Sequence, residues 1–73
     1  MNRKEIAINF GNNIKSLRTK FGLTQKQLAS KLGYCTNTLK NWEKGKVETN
    51  AEALFRVASF FNVSADYLLG LED

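Results

Sequence analysis

The stretch from Thr24 to Lys46, TQKQLASKLGYCTNTLKNWEKGK, constrains the fold of this chain more than any other. Its apolar anchors are Leu28, Leu32, Leu39 and Trp42, and Gly33 interrupts them where a continuous helix would want a better helix former. The pattern therefore predicts two short helices with a tight turn between them. Thr24 followed three residues later by Gln27 is a capping-box signature: the hydroxyl accepts from an orphan amide of the first turn while the side-chain amide reaches back. Gly33 takes the left-handed conformation that ends the first helix at no steric cost, and Gly45 does the same for the second.

The flanks supply what this pair packs against. Ile6, Phe10, Ile14, Leu17 and Phe21 recur at spacings of four, four, three and four, which predicts an amphipathic helix over about residues 4–21 with that stripe facing the core. Asn2 and Glu5 form its cap, and Gly22 ends it. Gly11, Asn9, Asn12 and Asn13 weaken its middle, so a later start at Asn9 stays open. After a short connection from Lys46 to Thr49, Asn50 caps a helix with Ala51, Leu54, Phe55, Val57, Ala58 and Phe61 as its apolar face and Arg56 and Ser59 outside. Asn62 stops it. Ser64 caps a last helix with Asp66 in its first turn and Tyr67, Leu68 and Leu71 as its apolar side. No stretch alternates with period two. The expected architecture is all-α, five helices in one compact domain spanning residues 1–73.

Seventy-three residues support one small core and leave little room for a long cleft. No apolar run approaches the ~18 residues a membrane span needs, and no signal peptide is visible, so a soluble cytoplasmic protein is expected. With one cysteine, Cys35, and no histidine, neither an internal disulfide nor a soft-metal site is expected. Cys35 has no imidazole to activate it and no carboxylate pair stands out, so no enzyme activity and no cofactor are expected. Charge is divided: residues 1–46 hold ten lysines and arginines against Glu5 and Glu43, net +8, whereas residues 47–73 hold Arg56 against five acids, net −4. A basic half containing the helix pair is what attraction to a phosphate backbone requires, and it is equally what solubilising helix faces look like.

The second helix of the pair sharpens this. Thr36, Asn37, Lys40, Asn41 and Lys44 share one side of it while Leu39 and Trp42 point inward. All five are polar and none is acidic. Ala29 lies where the two helices approach most closely.

The run LTQKQLASKLGYCTNTLKNWEKGK resembles the helix-turn-helix of the phage repressor and Cro family, also called Xre-type. Gln25 opens the first helix, Leu28 and Ala29 lie within it, Gly33 is at the turn, Leu39 and Trp42 are inside the second helix, and Glu43 and Gly45 follow. Similarity extends through FGNNIKSLRTKFG before the motif, which covers about residues 24–45, and AEALFRVASFFNVSADYLLG after it. The resemblance implies a repressor-like, sequence-specific double-stranded DNA-binding domain that lays the second helix in the major groove. Thr36, Asn37 and Asn41 are then the expected base readers, with Lys40 reading a guanine or holding a phosphate. Gln25 is implied as a phosphate contact, Lys44 and Lys46 are candidates beside it, and Lys26 and Lys15 are weaker ones. The family also pairs Glu43 with an arginine of the first helix, here Arg18, as a structural brace.

A domain this small makes few contacts, so a two-fold homodimer on an inverted-repeat operator is expected, its reading helices about 34 Å apart. Tyr67, Leu68, Leu69 and Leu71 are the expected dimer surface, completion of the monomer core being their other reading. No small-molecule ligand and no membrane partner is implied. Cys35 departs from the Ser or Thr usual as cap of the reading helix, which predicts a weak cap on a packed residue, with redox sensing as the rarer role. The loop after Gly45 lacks the usual proline and carries Glu48, which repels a nearby phosphate. Tyr34 replaces a small aliphatic residue and either packs or reaches a phosphate. The rival to a DNA-binding regulator is an antitoxin or antirepressor module on the same fold, gripping a protein through the acidic C-terminal half.

Overall fold

A computed structural model describes residues 1–71; Glu72 and Asp73, two of the acids counted in the C-terminal half, lie outside the described residues. Five helices follow in order: α1 (Arg3–Lys20), α2 (Gln25–Leu32), α3 (Thr36–Glu43), α4 (Ala51–Phe61) and α5 (Ala65–Leu69), with no strand among the described residues. Side chains start four of the five. Asn2 Oδ1 accepts from the Glu5 amide at 2.9 Å, Asn50 Oδ1 from Ala53 at 2.8 Å, and Ser64 Oγ from Tyr67 at 2.9 Å. Thr24 Oγ1 accepts from the Gln27 amide at 3.0 Å while Gln27 Oε1 accepts from the Thr24 amide at 2.9 Å, the reciprocal box its sequence predicts. Each cap contributes about 1 kcal/mol. α1 is continuous from Arg3, so the later start at Asn9 does not hold.

One apolar cluster joins all five helices: Phe10, Ile14 and Leu17 from α1, Leu28, Ala29 and Leu32 from α2, Leu39 and Trp42 from α3, Ala53, Val57 and Phe61 from α4, and Leu68 from α5. Several expected core positions fall outside it. Ile6 is half-buried, and Phe21, the C-cap of α1, is exposed because the chain turns away there; its ring only rests edge-on against Phe61 at 5.0 Å. On α4 the buried line is Ala53, Val57 and Phe61, four residues apart, which places Phe55 about 200° around the helix from Ala53. Phe55 is accordingly 71% exposed, and Ala51 is exposed as well. Leu68 is fully buried. It belongs to the core and leaves the expected dimer surface, whereas Leu71 is exposed and Tyr67 and Leu69 are half-buried.

The weak middle of α1 has tertiary reasons. Gly11 is buried where α1 crosses α3, and a Cβ there would collide with the Trp42 carbonyl. Asn9 and Asn13 lie two residues either side of Gly11, on the opposite flank of the helix. Asn13 Nδ2 donates to the carbonyls of Tyr67 at 2.9 Å and Leu68 at 3.1 Å, and Asn9 Nδ2 to that of Leu69 at 3.2 Å. The Tyr67 carbonyl also accepts from the Gly70 amide at 3.1 Å, so the asparagines add to the bonds that close the helix end. A five-residue helix is too short to stand by propensity, and α1 adds hydrogen bonds to its C-terminal end.

Candidate nucleic-acid interface

The α2–α3 pair turns at Gly33, whose φ of +83° is open to glycine at no steric cost, and the Tyr34 amide closes the turn on the Ala29 carbonyl at 2.9 Å. α3 is fixed from behind. Leu39 and Trp42 are buried, and the indole meets Phe10 edge-on at 5.5 Å and Tyr34 at 5.1 Å. Tyr34 therefore packs, and the Arg56 guanidinium lies over its ring, 5.2 Å from the centroid, while donating to the Leu32 carbonyl at 2.9 Å. Arg56 is exposed, off the apolar face of α4 as expected, and its side chain also ties α4 to the end of α2.

At the far end of α3 the structure brings Arg18 and Glu43 together. Arg18 Nε donates to Glu43 Oε2 at 2.7 Å and Nη2 to Oε1 at 3.1 Å, while Nη1 donates to the Leu23 carbonyl at 2.8 Å. Gln25 Nε2 also donates to Glu43 Oε1, at 3.1 Å. The two charged side chains are only 15% and 5% exposed, so the hydrogen bonds replace lost water. α1, α2 and α3 thus meet at one carboxylate.

The other side of α3 is open. Asn37, Lys40 and Lys44 are exposed and Thr36 and Asn41 half-buried. None of these five side chains has a hydrogen bond or ion pair with another group among the described residues. Lys26 at the start of α2 and Lys46 after α3 are also exposed, as is Lys15 on α1. Gln25 is half-buried and its side chain donates to Glu43, while the backbone amides of Gln25 and Lys26 at that helix start have no intrahelical partner. Anions bind such amides.

Cys35 is the N-cap of α3 and forms no side-chain cap bond with the backbone. The packed residue expected from sequence is instead exposed, with Sγ 3.1 Å from Thr38 Oγ1. That hydroxyl, followed by the Thr38 backbone amide, holds the thiol below its ordinary value. The described residues contain no cluster of His, Cys, Asp or Glu able to hold a metal ion, and no helix long and apolar enough to cross a membrane.

Reading the sequence alone missed Gly11, the asparagine pair, and the attachment of Gln25 to Glu43. A glycine and asparagines inside an otherwise regular helical stripe are a signal, since each is retained against its own propensity. Nothing local pointed to the Gln25 contact, whose partner lies eighteen residues away.

A family model described as "Helix-turn-helix" matches residues 14–68 of the chain. The chain is similar to the HTH-type transcriptional regulator ImmR of Bacillus subtilis (strain 168), with 36% identity over 66 residues that cover 90% of this chain and 52% of that protein. It is also similar to the HTH-type transcriptional activator BcrR of Enterococcus faecalis, with 39% identity over 64 residues that cover 88% of this chain and 31% of that protein. The chain therefore spans about half or less of the length of these two relatives. Its fold is similar to that of the P22 c2 repressor protein in complex with synthetic operator 9T, with a TM-score of 0.79 and 28% identity over 86% of this chain and 96% of that one.

Proposed function

The chain belongs to the helix-turn-helix family, and on that premise we propose that it is a sequence-specific double-stranded DNA-binding regulator of repressor type. One observation carries the reading: α3 presents five polar, non-acidic side chains with no internal partner, on a helix fixed from behind by Trp42 and by the Arg18–Glu43 pair. A merely solvated face has no need of such rigid mounting. A face that meets base edges does, because readout fails when donors shift by about an ångström.

In this reading α3 enters the major groove, and Thr36, Asn37 and Asn41 read base edges, with Lys40 on a guanine or a phosphate. Lys44, Lys46 and Lys26 hold backbone phosphates, as do the amides at the start of α2, with Gln25 orienting Glu43 alongside. Two copies bind an inverted repeat, and Leu71, 56% exposed, is the proposed centre of their contact, with Tyr67 and Leu69 at its edge.

Selection of bound sites from random duplex DNA at two salt concentrations tests the reading. An enriched, two-fold symmetric motif is the expected result. Lys44→Ala should weaken binding to every sequence and lower the salt slope by about 0.9, whereas Asn37→Ala should relax preference at one base position by about 1–3 kcal/mol. Absence of any enriched motif, with binding that is purely salt-driven, defeats the proposal.

A further inference from the structure

The first turn of α1 and the loop after α3 enclose a groove whose α1 side has no role in the reading above. Arg3, Lys4 and Ala7 form one wall, and Gly45, Lys46 and Glu48 the other. The walls are held together where Ile8 meets Gly45: a Cβ on that glycine would lie 3.1 Å from Ile8 Cγ1 and 3.2 Å from Ile8 Cα. Nearer the chain start, Arg3 Nε lies 3.6 Å from Glu48 Oε1, with the two side chains 89% and 57% exposed.

Three cations from two elements thus line one groove with a single carboxylate, which leaves an excess of positive charge there. An ion pair this exposed and this long contributes little to folding. Its geometry has another consequence. Glu48, which the sequence sets against any phosphate at this loop, is turned toward Arg3, and a phosphodiester oxygen bearing the same charge and the same acceptor geometry can take its place on the guanidinium.

We propose that this groove is a second site for a DNA backbone phosphate, in which Arg3 and Lys4 of α1 join Lys46, and Glu48 keeps Arg3 at the groove until the phosphate displaces it. The inference rests on the DNA-binding reading. It adds to that reading a contact made by α1, outside the helix pair, which is indifferent to base sequence and competes with an internal carboxylate.

The test uses the full chain and a duplex carrying the selected motif. R3A/K4A removes two charges at the groove; K20A/K31A removes two exposed charges from the last turn of α1 and from the side of α2 beside Phe55 and Phe60. All four side chains are exposed, so circular dichroism of both variants should overlay that of the parent. R3A/K4A is expected to lower the slope of log K against log salt by about 0.9 relative to K20A/K31A, with base preference unchanged. E48Q is expected to tighten binding, since the displaced carboxylate no longer competes. Equal slopes for the two double variants, or an E48Q variant that binds no more tightly, overturn the inference while leaving an enriched motif intact. A parent chain that enriches no motif overturns both this inference and the reading beneath it.

Discussion

α3 and α5 are both too short to stand alone, at eight and five residues, yet they are secured in opposite ways. α5 is closed at both ends. Ser64 caps its start, and Asn9 and Asn13 take up its last carbonyls, with Leu68 fully buried between. α3 is held only from behind, by Leu39 and Trp42, by the tight crossing at Gly11, and by Arg18 and Gln25 on Glu43. Its N-terminus has no side-chain cap and its outward side chains have no internal partners. A helix whose backbone ends are taken up is fixed as part of the core, whereas α3 is clamped along its back and left open in front.

The sharpest way to break this contrast is to remove half of the clamp. Glu43→Ala strands a mostly buried guanidinium and is expected to cost about 3–5 kcal/mol in urea unfolding. Replacing Arg18 and Glu43 together by Met and Leu should cost far less; a double variant as unstable as the single one would show that the pair is no brace. Gly11→Ala is next, at about 3 kcal/mol, because the added methyl meets backbone at Trp42 and no side chain can yield. It should also weaken DNA binding beyond its thermal cost, and unchanged affinity in the folded variant would mean that the position of α3 does not matter.

Asn13→Ala attacks the other helix. It leaves the carbonyls of Tyr67 and Leu68 without that donor, and about 1–2 kcal/mol should be lost, with faster hydrogen exchange in α5 and none of the α3-dependent base preference disturbed. Smallest is Cys35→Ser, which puts a better acceptor at the open start of α3 and should raise the melting temperature slightly. A fall would mean that the sulfur packs better than it looks. Thr38→Val separates the thiol chemistry from the cap: since the Thr38 hydroxyl leads in holding the thiol low, alkylation of Cys35 should shift to higher pH in that variant.

What the sequence revealed is mostly what neighbouring residues decide among themselves. The capping pairs Asn2–Glu5 and Thr24–Gln27, the stops at Gly33 and Asn62, and the order of five helices depend on residues a few positions apart, and the family resemblance expected from that order is the one the comparisons show. The open face of α3 was legible for the same reason, as a consequence of helical period. What was illegible lies in long-range pairing. Asn9 and Asn13 read as weak helix formers because their partners are 54 to 60 residues away. Phe55 read as core because apolar character is visible in sequence and the angle at which α4 meets its neighbours is not. The attachment of Gln25 to Glu43 was illegible because Glu43 comes beside it only after the helices pack.

One turn of α1 is sandwiched between these two helices, with Gly11 against α3 on one side and Asn9 and Asn13 against α5 on the other. Two packing distances of about 8–10 Å each, one on either side of α1, therefore separate the end where two copies are proposed to meet from the helix proposed to read bases. α1 acts as a ruler. A bulkier residue at position 11 or the loss of the asparagine pair alters its gauge, and in the proposed symmetric dimer any such change would be counted twice, so that half-site spacing would become a property that α1 sets without touching a base.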